Sequence, residues 1–314
     1  MFKYVAMRVL STIPVMAVVA LFVFVLLRLA PGDPAAVIAG DYATAEDVER
    51  IRQQLGLADS VFVQFLRWLG GLMQGDLGTS IFSNRPVTEL IGQRLEPTLL
   101  LALTTIVFSV AVAVPLGTLA AYRAGSAVDR VVMLFSVGGF SVPVFVLGYI
   151  LIYTMSMSLK ILPVQGYKSP FEDGIGPFLM HITLPTVTLS VIFIALISRM
   201  TRASVLEVLE EDYIRTARAK GQSEFRILLR HALRNAAVPI VTVIGIGIAL
   251  LIGGVVVTES VYNIPGLGRL VLDAVLARDY PIIQGLMLFF SFIYIIINLI
   301  IDLSYTFFDP RIRY

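Results

Sequence analysis

Residues that could do chemistry are few in this sequence, and they are scattered. There is no cysteine, which excludes disulfides, thiolate nucleophiles and Cys-ligated zinc. Of the two histidines, His181 and His231, neither has an acid or a second histidine at metal-ligand spacing. No local pattern sets a Ser, a His and an Asp together. No GxxxxGK[ST] is present, and neither "GIGIALLIGG" nor "NIPGLGRL" matches GxGxxG, so the chain has no cradle for nucleotide phosphates. What remains is charge. The stretch "YIRTARAKGQSEFRILLRHALRNAA" at 213–237 carries Arg215, Arg218, Lys220, Arg226, Arg230 and Arg234 against the single acid Glu224. Physics leaves three uses for such an island: a basic segment on anionic lipid, a docking element for a partner, or a DNA-binding helix-turn-helix. Tethering between long apolar runs and a net charge of only +2 disfavour nucleic acid.

Those apolar runs are the elements that must position the island. The chain is 57% hydrophobic and 15% charged, with a mean hydropathy of +0.87, whereas soluble domains carry about 25% charged residues. Runs of this length read as membrane spans. Six are expected, at 9–30, 98–122, 131–157, 181–200, 237–257 and 282–306. The first follows Lys3 and Arg8 but is too long for a secretory leader, and no small-x-small cleavage site follows it. It reads as an uncleaved anchor. Six spans put both termini on one side. That side holds 14 of the 24 Lys and Arg residues, including those of the short loops. The positive-inside rule therefore makes the termini and the island cytoplasmic.

Within the loop at 201–236, Leu206, Leu209, Tyr213, Ile214 and Ala217 recur at helical spacing. Gly221 suits the left-handed residue that ends a helix. Ser223 is placed to cap a second helix with an apolar stripe of Phe225, Leu228, Leu229, Ala232 and Leu233. On the opposite side, 31–97 is too long for a simple connection and holds nine acids against five Arg. Thr44 with Asp47 resembles a capping box, Gly56 is expected to end the helix that follows, and Ser60 to cap another through "VFVQFLRWLGGLM". This segment reads as a small helical lid and as a platform for an external partner.

An ion-driven carrier needs ionisable groups deep in the membrane. Asp302 lies towards the cytoplasmic boundary near Asn298, and Arg28 snorkels from the outer end of span one. Glu259 caps the outer end of span five, as structure or as a gate. Among the hydroxyl residues, Ser141, Thr188 and Thr242 are candidates to line a path, although Ser109, Ser136, Thr186 and Ser190 with them also suit helix–helix contacts. A self-contained ion-coupled carrier is thus poorly supported.

The island resembles the cytoplasmic coupling loop of ATP-binding-cassette importer permeases, in the version of the peptide/nickel group. Arg215-Thr216-Ala217 stands where the general pattern has Glu-Ala-Ala, before Gly221, and Leu233-Arg234 replaces Leu-Pro, with a proline only at Pro239. "LLRLAPGDPA" at 26–35, "FLRWLGGLMQGDLGTSI" at 65–81, "LEPTLLLA" at 95–102, "ESVYNIPGLGRL" at 259–270 and the closing "DPRIRY" are similar to that group's dipeptide permease B type. The resemblance implies an all-α integral membrane protein of the type I importer permease type, with six transmembrane helices and a small helical extracytoplasmic insertion. It implies residence in the bacterial inner membrane and a non-catalytic role in importing di- or oligopeptides, glutathione, opines or nickel chelates. It also implies a second homologous permease subunit, an extracytoplasmic substrate-binding protein and two ATPase subunits, which hold the ATP and Mg that this chain lacks. Arg215, Ala217, Arg218, Lys220, Gly221, Gln222, Glu224 and Phe225 would then form the coupling helix and turn.

Overall fold

The computed structural model describes residues 2–29, 34–39, 43–54 and 58–308. The helix end expected at Gly56, the closing "DPRIRY" and the side chains of Lys3, Arg8 and Arg28 lie outside the described residues. Among the described residues the fold is helical, without a strand beyond an isolated bridge between Thr79 and Pro86.

Chain contacts divide the molecule into two units: one gathers the chain up to Glu96 with Arg269–Ile295, the other Pro97–Gly268 with the chain from Ile296 on. The first unit holds α1 (Phe2–Leu29), α2 (Pro34–Ala39), α3 (Ala45–Gln54) and α4 (Val61–Met73). The α3 capping box forms: Asp47 N–H donates to Thr44 Oγ1 (3.3 Å) and Thr44 N–H to Asp47 Oδ2 (3.2 Å). Ser60 accepts from Val63 N–H and starts α4. Ser80 donates to buried Asp279 (2.6 Å), fixing the 79–86 turn.

Helices α5 (Val87–Tyr122), α6 (Ala127–Ser141), α7 (Val144–Leu151, widening into a π-helical stretch Ile152–Ser158) and α8 (Ile175–Leu209) follow. After them come the loop helices α9 (Asp212–Ala219), α10 (Glu224–Arg226) and α11 (Leu233–Asn235), then α12 (Ala237–Val261), α13 (Leu267–Ala277) and α14 (Tyr280–Phe308). Of these, α5, α8, α12 and α14 are long and apolar enough to cross a membrane, and α6 with α7 adds a fifth crossing if the bent pair is one span. Among the described side chains of α1, the apolar stretch is Leu10–Val25.

Two expectations are corrected. The third span is not one helix. It bends by 103° between α6 and α7, because Val142 (φ −95°, ψ 120°) and Pro143 (φ −58°, ψ 138°) are both extended, and the residue before a proline is driven out of the α region. The second and fourth spans are far longer than their apolar cores, α5 starting at Val87 and α8 running from Ile175 to Leu209. At 1.5 Å per residue each is over about 50 Å long, so their helical ladders continue well past a bilayer core of about 30 Å.

In the second unit α8 is the centre. Leu184, Leu189, Phe193, Ile194 and Ile197 share one buried cluster with Leu101 of α5, Val243 and Leu251 of α12, and Tyr262. Gly117 lets α5 approach α8 backbone to backbone, since a Cβ there would meet Thr201 Cβ at 2.7 Å. Arg202 of α8 forms a two-pronged ion pair with buried Asp129 of α6, and Gly125 N–H also donates to that carboxylate (2.9 Å). A charge pair this enclosed holds only because its hydrogen bonds are met.

Candidate functional site

The basic island folds as a helical hairpin between α8 and α12. Its turn is a Schellman motif. Gly221 has φ +76°, its N–H donates to Arg218 O (2.9 Å), and Gln222 N–H donates to Ala217 O (3.2 Å). Glycine is favoured here by the left-handed backbone and not by want of room, because a Cβ at Gly221 would meet no atom within 4 Å. Beneath the turn, Ile214, Ala217 and Ile227 are buried together against Leu209. Burying the two isoleucines contributes roughly 2 kcal/mol each.

Three polar braces fix one arm against the other. Arg218 Nε donates to Glu224 Oε1 (2.9 Å) across the turn, and this bond to Glu224 raises the guanidinium's pKa. His231 Nε2 pairs with Gln222 Oε1 (2.8 Å). Asn235 Nδ2 donates to Tyr213 Oη (2.9 Å), whose phenol is pushed up chiefly by partial burial. None of these pairs was visible as a pair in the sequence, because their members lie 6, 9 and 22 positions apart.

The second arm departs from expectation. Ser223 makes no capping hydrogen bond. Between α10 and α11 the helix widens into a π-helical stretch, Ile227–Ala232. The buried positions become Ile227, Ala232 and Ala236, with Leu228 and Leu233 partly covered. Phe225 and Leu229, read as part of the inner stripe, are instead outside, and Phe225 is 73% exposed. The wider turn explains the shift: five residues separate Ile227 from Ala232 where an α-helix would use three or four. Of the eight loop candidates, Ala217 is packed inside, Gln222 and Glu224 are half-buried in braces, and Arg215, Arg218, Lys220, Gly221 and Phe225 are exposed.

The four path candidates each bond to a different partner. Ser141 is exposed and its hydroxyl donates to Val137 O (3.0 Å). Thr242 does the same to Val238 O (2.8 Å). Thr188 is buried and shares a hydrogen bond with Tyr262 Oη (2.7 Å). Glu259 is wholly enclosed. It accepts from Thr98 Oγ1 (2.5 Å), and that oxygen accepts from Leu267 N–H (2.8 Å). Gly266 and Gly268 are the floor of this knot, since a Cβ on Gly266 would overlap the Glu259 carboxylate. Other hydroxyls also join helices: Thr104 with Thr186 (2.9 Å) and Ser136 with Ser198 (3.1 Å).

Fold and site together define a multi-pass helical membrane component with a braced, charged hairpin joining two of its long helices. The chain belongs to the family of inner membrane components of binding-protein-dependent transport systems, whose model matches residues 113–314, while the model of that family's N-terminal region matches residues 1–102. It is an ABC transporter permease. A probable peptide ABC transporter permease of Sinorhizobium fredii is 56% identical over 99% of both chains. A putative peptide transport permease of Brucella abortus is 46% identical over 98% of both, and the glutathione transport permease GsiC of Escherichia coli is 44% identical over the full length of both. Among solved structures, the inward-facing MetNI methionine ABC transporter matches with a TM-score of 0.57 at 18% identity, covering 71% of this chain and 97% of that one. That likeness is one of fold.

Proposed function

We propose that this chain is the path-forming permease subunit of an ATP-driven importer of di- and oligopeptides, and that residues 201–236 are its cytoplasmic coupling loop. In this reading α1, α5, the α6–α7 pair, α8, α12 and α14 are six spans, both termini are cytoplasmic, and 31–97 faces an external substrate-binding protein. A second, homologous permease completes the path, and two ATPase subunits bind ATP and Mg. The observation that carries the proposal is the hairpin itself: internally braced, yet displaying Lys220, Arg215 and an exposed Phe225 around the Gly221 turn. An exposed aromatic on the same short hairpin as exposed cations is what a partner's groove recognises, and the cations suit an acidic rim.

The mechanism follows from stiffness. When the ATPase pair closes, it displaces the turn. The Arg218–Glu224, Gln222–His231 and Tyr213–Asn235 braces keep the two arms from folding together. The displacement is therefore passed on to α8 and α12 as a rigid movement. Peptide is the cargo that the 56% relative's name supports; the glutathione permease at 44% keeps a second reading open, and that cargo is itself a small peptide. Because many hydroxyls of the spans are engaged in helix contacts, selectivity resides in the binding protein and the path is sequence-tolerant.

The test is uptake by proteoliposomes holding this chain, its partner permease, both ATPases and the binding protein. Labelled dipeptide should accumulate only with ATP, and glutathione should compete weakly. Uptake by this chain alone, driven by an ion gradient, would overturn the proposal.

A further inference from the structure

Helix α4 has no buried residue along its 13 positions, although most of them are apolar. Its polar side chains form one narrow stripe, Ser60, Gln64 and Arg67. They are satisfied locally, with Arg67 paired to Asp59 (2.7 Å) and Gln64 Nε2 donating to Asp59 O (2.8 Å). On one flank Phe65 and Trp68 pack on Phe24 of α1, with ring centroids 5.0 and 5.5 Å away. The other flank, Phe62, Leu66 and Met73, is left open, with Phe62 69% exposed and Leu69 between them partly covered.

We propose that α4 lies in the plane of the bilayer at its outer boundary, with the Phe62–Met73 flank sunk among lipid chains. Four observations favour lipid over a protein partner. First, thirteen residues span about 20 Å, too short to cross a core of about 30 Å. Second, Phe24 lies in the outer half of the span expected at 9–30, so α4 meets α1 on the outer side of the hydrocarbon's middle. Third, α1, on which α4 packs, itself displays apolar side chains, with Val18, Leu21 and Phe22 outside, as a lipid-facing helix does. Fourth, Arg67 and Gln64 both turn back to Asp59 of the same chain, so the polar side of α4 is engaged locally. Trp68 and Arg67 are the residue types that anchor at headgroups. Since the one cation of α4 is neutralised by Asp59, the anchoring is apolar and independent of anionic lipid, unlike that of basic interfacial helices.

This rests on α1 crossing the membrane, as in the topology proposed above. The chain has no native cysteine, so single-thiol variants report one position each. Phe62→Cys and Met73→Cys, spin-labelled in the transporter assembled from thiol-free partners in lipid nanodiscs, should be reached by oxygen severalfold more readily than by a water-soluble nickel chelate. Gln64→Cys should show the reverse. The pattern should be unchanged between neutral and anionic lipid. Access by the nickel chelate at both 62 and 73 overturns the proposal, as does shielding from both reagents, which would mean that protein covers the flank. Sensitivity to anionic lipid overturns the apolar anchoring. Val18→Cys separates the two readings: if it too is reached only from water, the crossing of α1 is wrong.

Discussion

Glu224 sits half-buried on the hairpin and pairs across the turn with an equally accessible Arg218 (2.9 Å). Glu259 sits in the second unit without any exposure, gripped by Thr98 and floored by Gly266 and Gly268. Both stood out in the sequence as acids in unusual places. Around Glu224 the surface stays charged and open, so a partner can use it. At the Glu259 knot every named group faces another group of the same chain, and the polar atoms there hold α5, α12 and the 262–268 turn in register. The difference separates a site that exchanges contacts during a cycle from one that keeps them.

The largest expected effect comes from Glu259→Ala. It removes the acceptor of Thr98 and empties a packed site, a loss of about 3 kcal/mol. Melting of the purified chain in detergent should shift down markedly and little folded protein should be recovered. Glu259→Gln, which still accepts from Thr98, should be milder. A Glu259→Ala variant that melts like the wild type but cannot transport would place Glu259 on the cargo path and break the comparison.

Second is Gly221→Asp. Nothing in this chain obstructs a side chain there, and Asp tolerates a left-handed backbone better than most residues. Melting and membrane level should therefore stay normal. Uptake should fall by about tenfold or more while ATP hydrolysis continues, a loss equivalent to about 1.4 kcal/mol or more in the transport barrier. Gly221→Asn, without the charge, should fall between. Normal uptake by Gly221→Asp would sink the coupling assignment.

What the sequence disclosed tracks how local each interaction is. The Schellman turn was legible because its glycine and both of its hydrogen bonds lie within six residues. The capping box of α3 and the Ser60 cap were legible for the same reason. Hydropathy located the embedded parts of α5 and α8 but not their ends, because a helical ladder continues past the lipid wherever the chain allows. Pro143 illustrates the limit: Pro97, Pro115 and Pro185 sit inside continuous helices, and only at Pro143 does the chain break. The Glu259 knot joins residues 161 and 169 positions apart, and Phe225 is turned outward because Ile227, two positions on, packs against Ile214 and Ala217 of the other arm, a pairing that no spacing rule signals.

Third, Arg218→Glu and Glu224→Arg each break the brace, whereas the double exchange restores it with reversed polarity. The pair is partly screened, so its own worth is about 0.5 kcal/mol, and the single variants should melt within a degree or two of wild type. Uptake should fall severalfold in each. If the double exchange recovers the hairpin but not uptake, Arg218 meets the partner directly; if it recovers both, the residue acts only through the brace.

The smallest effect belongs to a third carboxylate, Asp47, which is about as accessible as Glu224 but tied to its own helix end like Glu259 to its turn. The Thr44 hydroxyl bonded to it, more than the Thr44 N–H, holds its carboxyl below the ordinary value. A depressed carboxylate contributes stability above its unfolded pKa and loses it as pH falls through the folded one. Amide exchange at Val48 and Glu49 in the full chain should therefore be slow and flat near neutrality, and should speed up, relative to the intrinsic rate, only in acid. Thr44→Ala should move that onset to higher pH and leave uptake untouched. If this exposed acid changed transport, exposure alone would mark a working site, and the contrast between Glu224 and Glu259 would rest on the wrong variable.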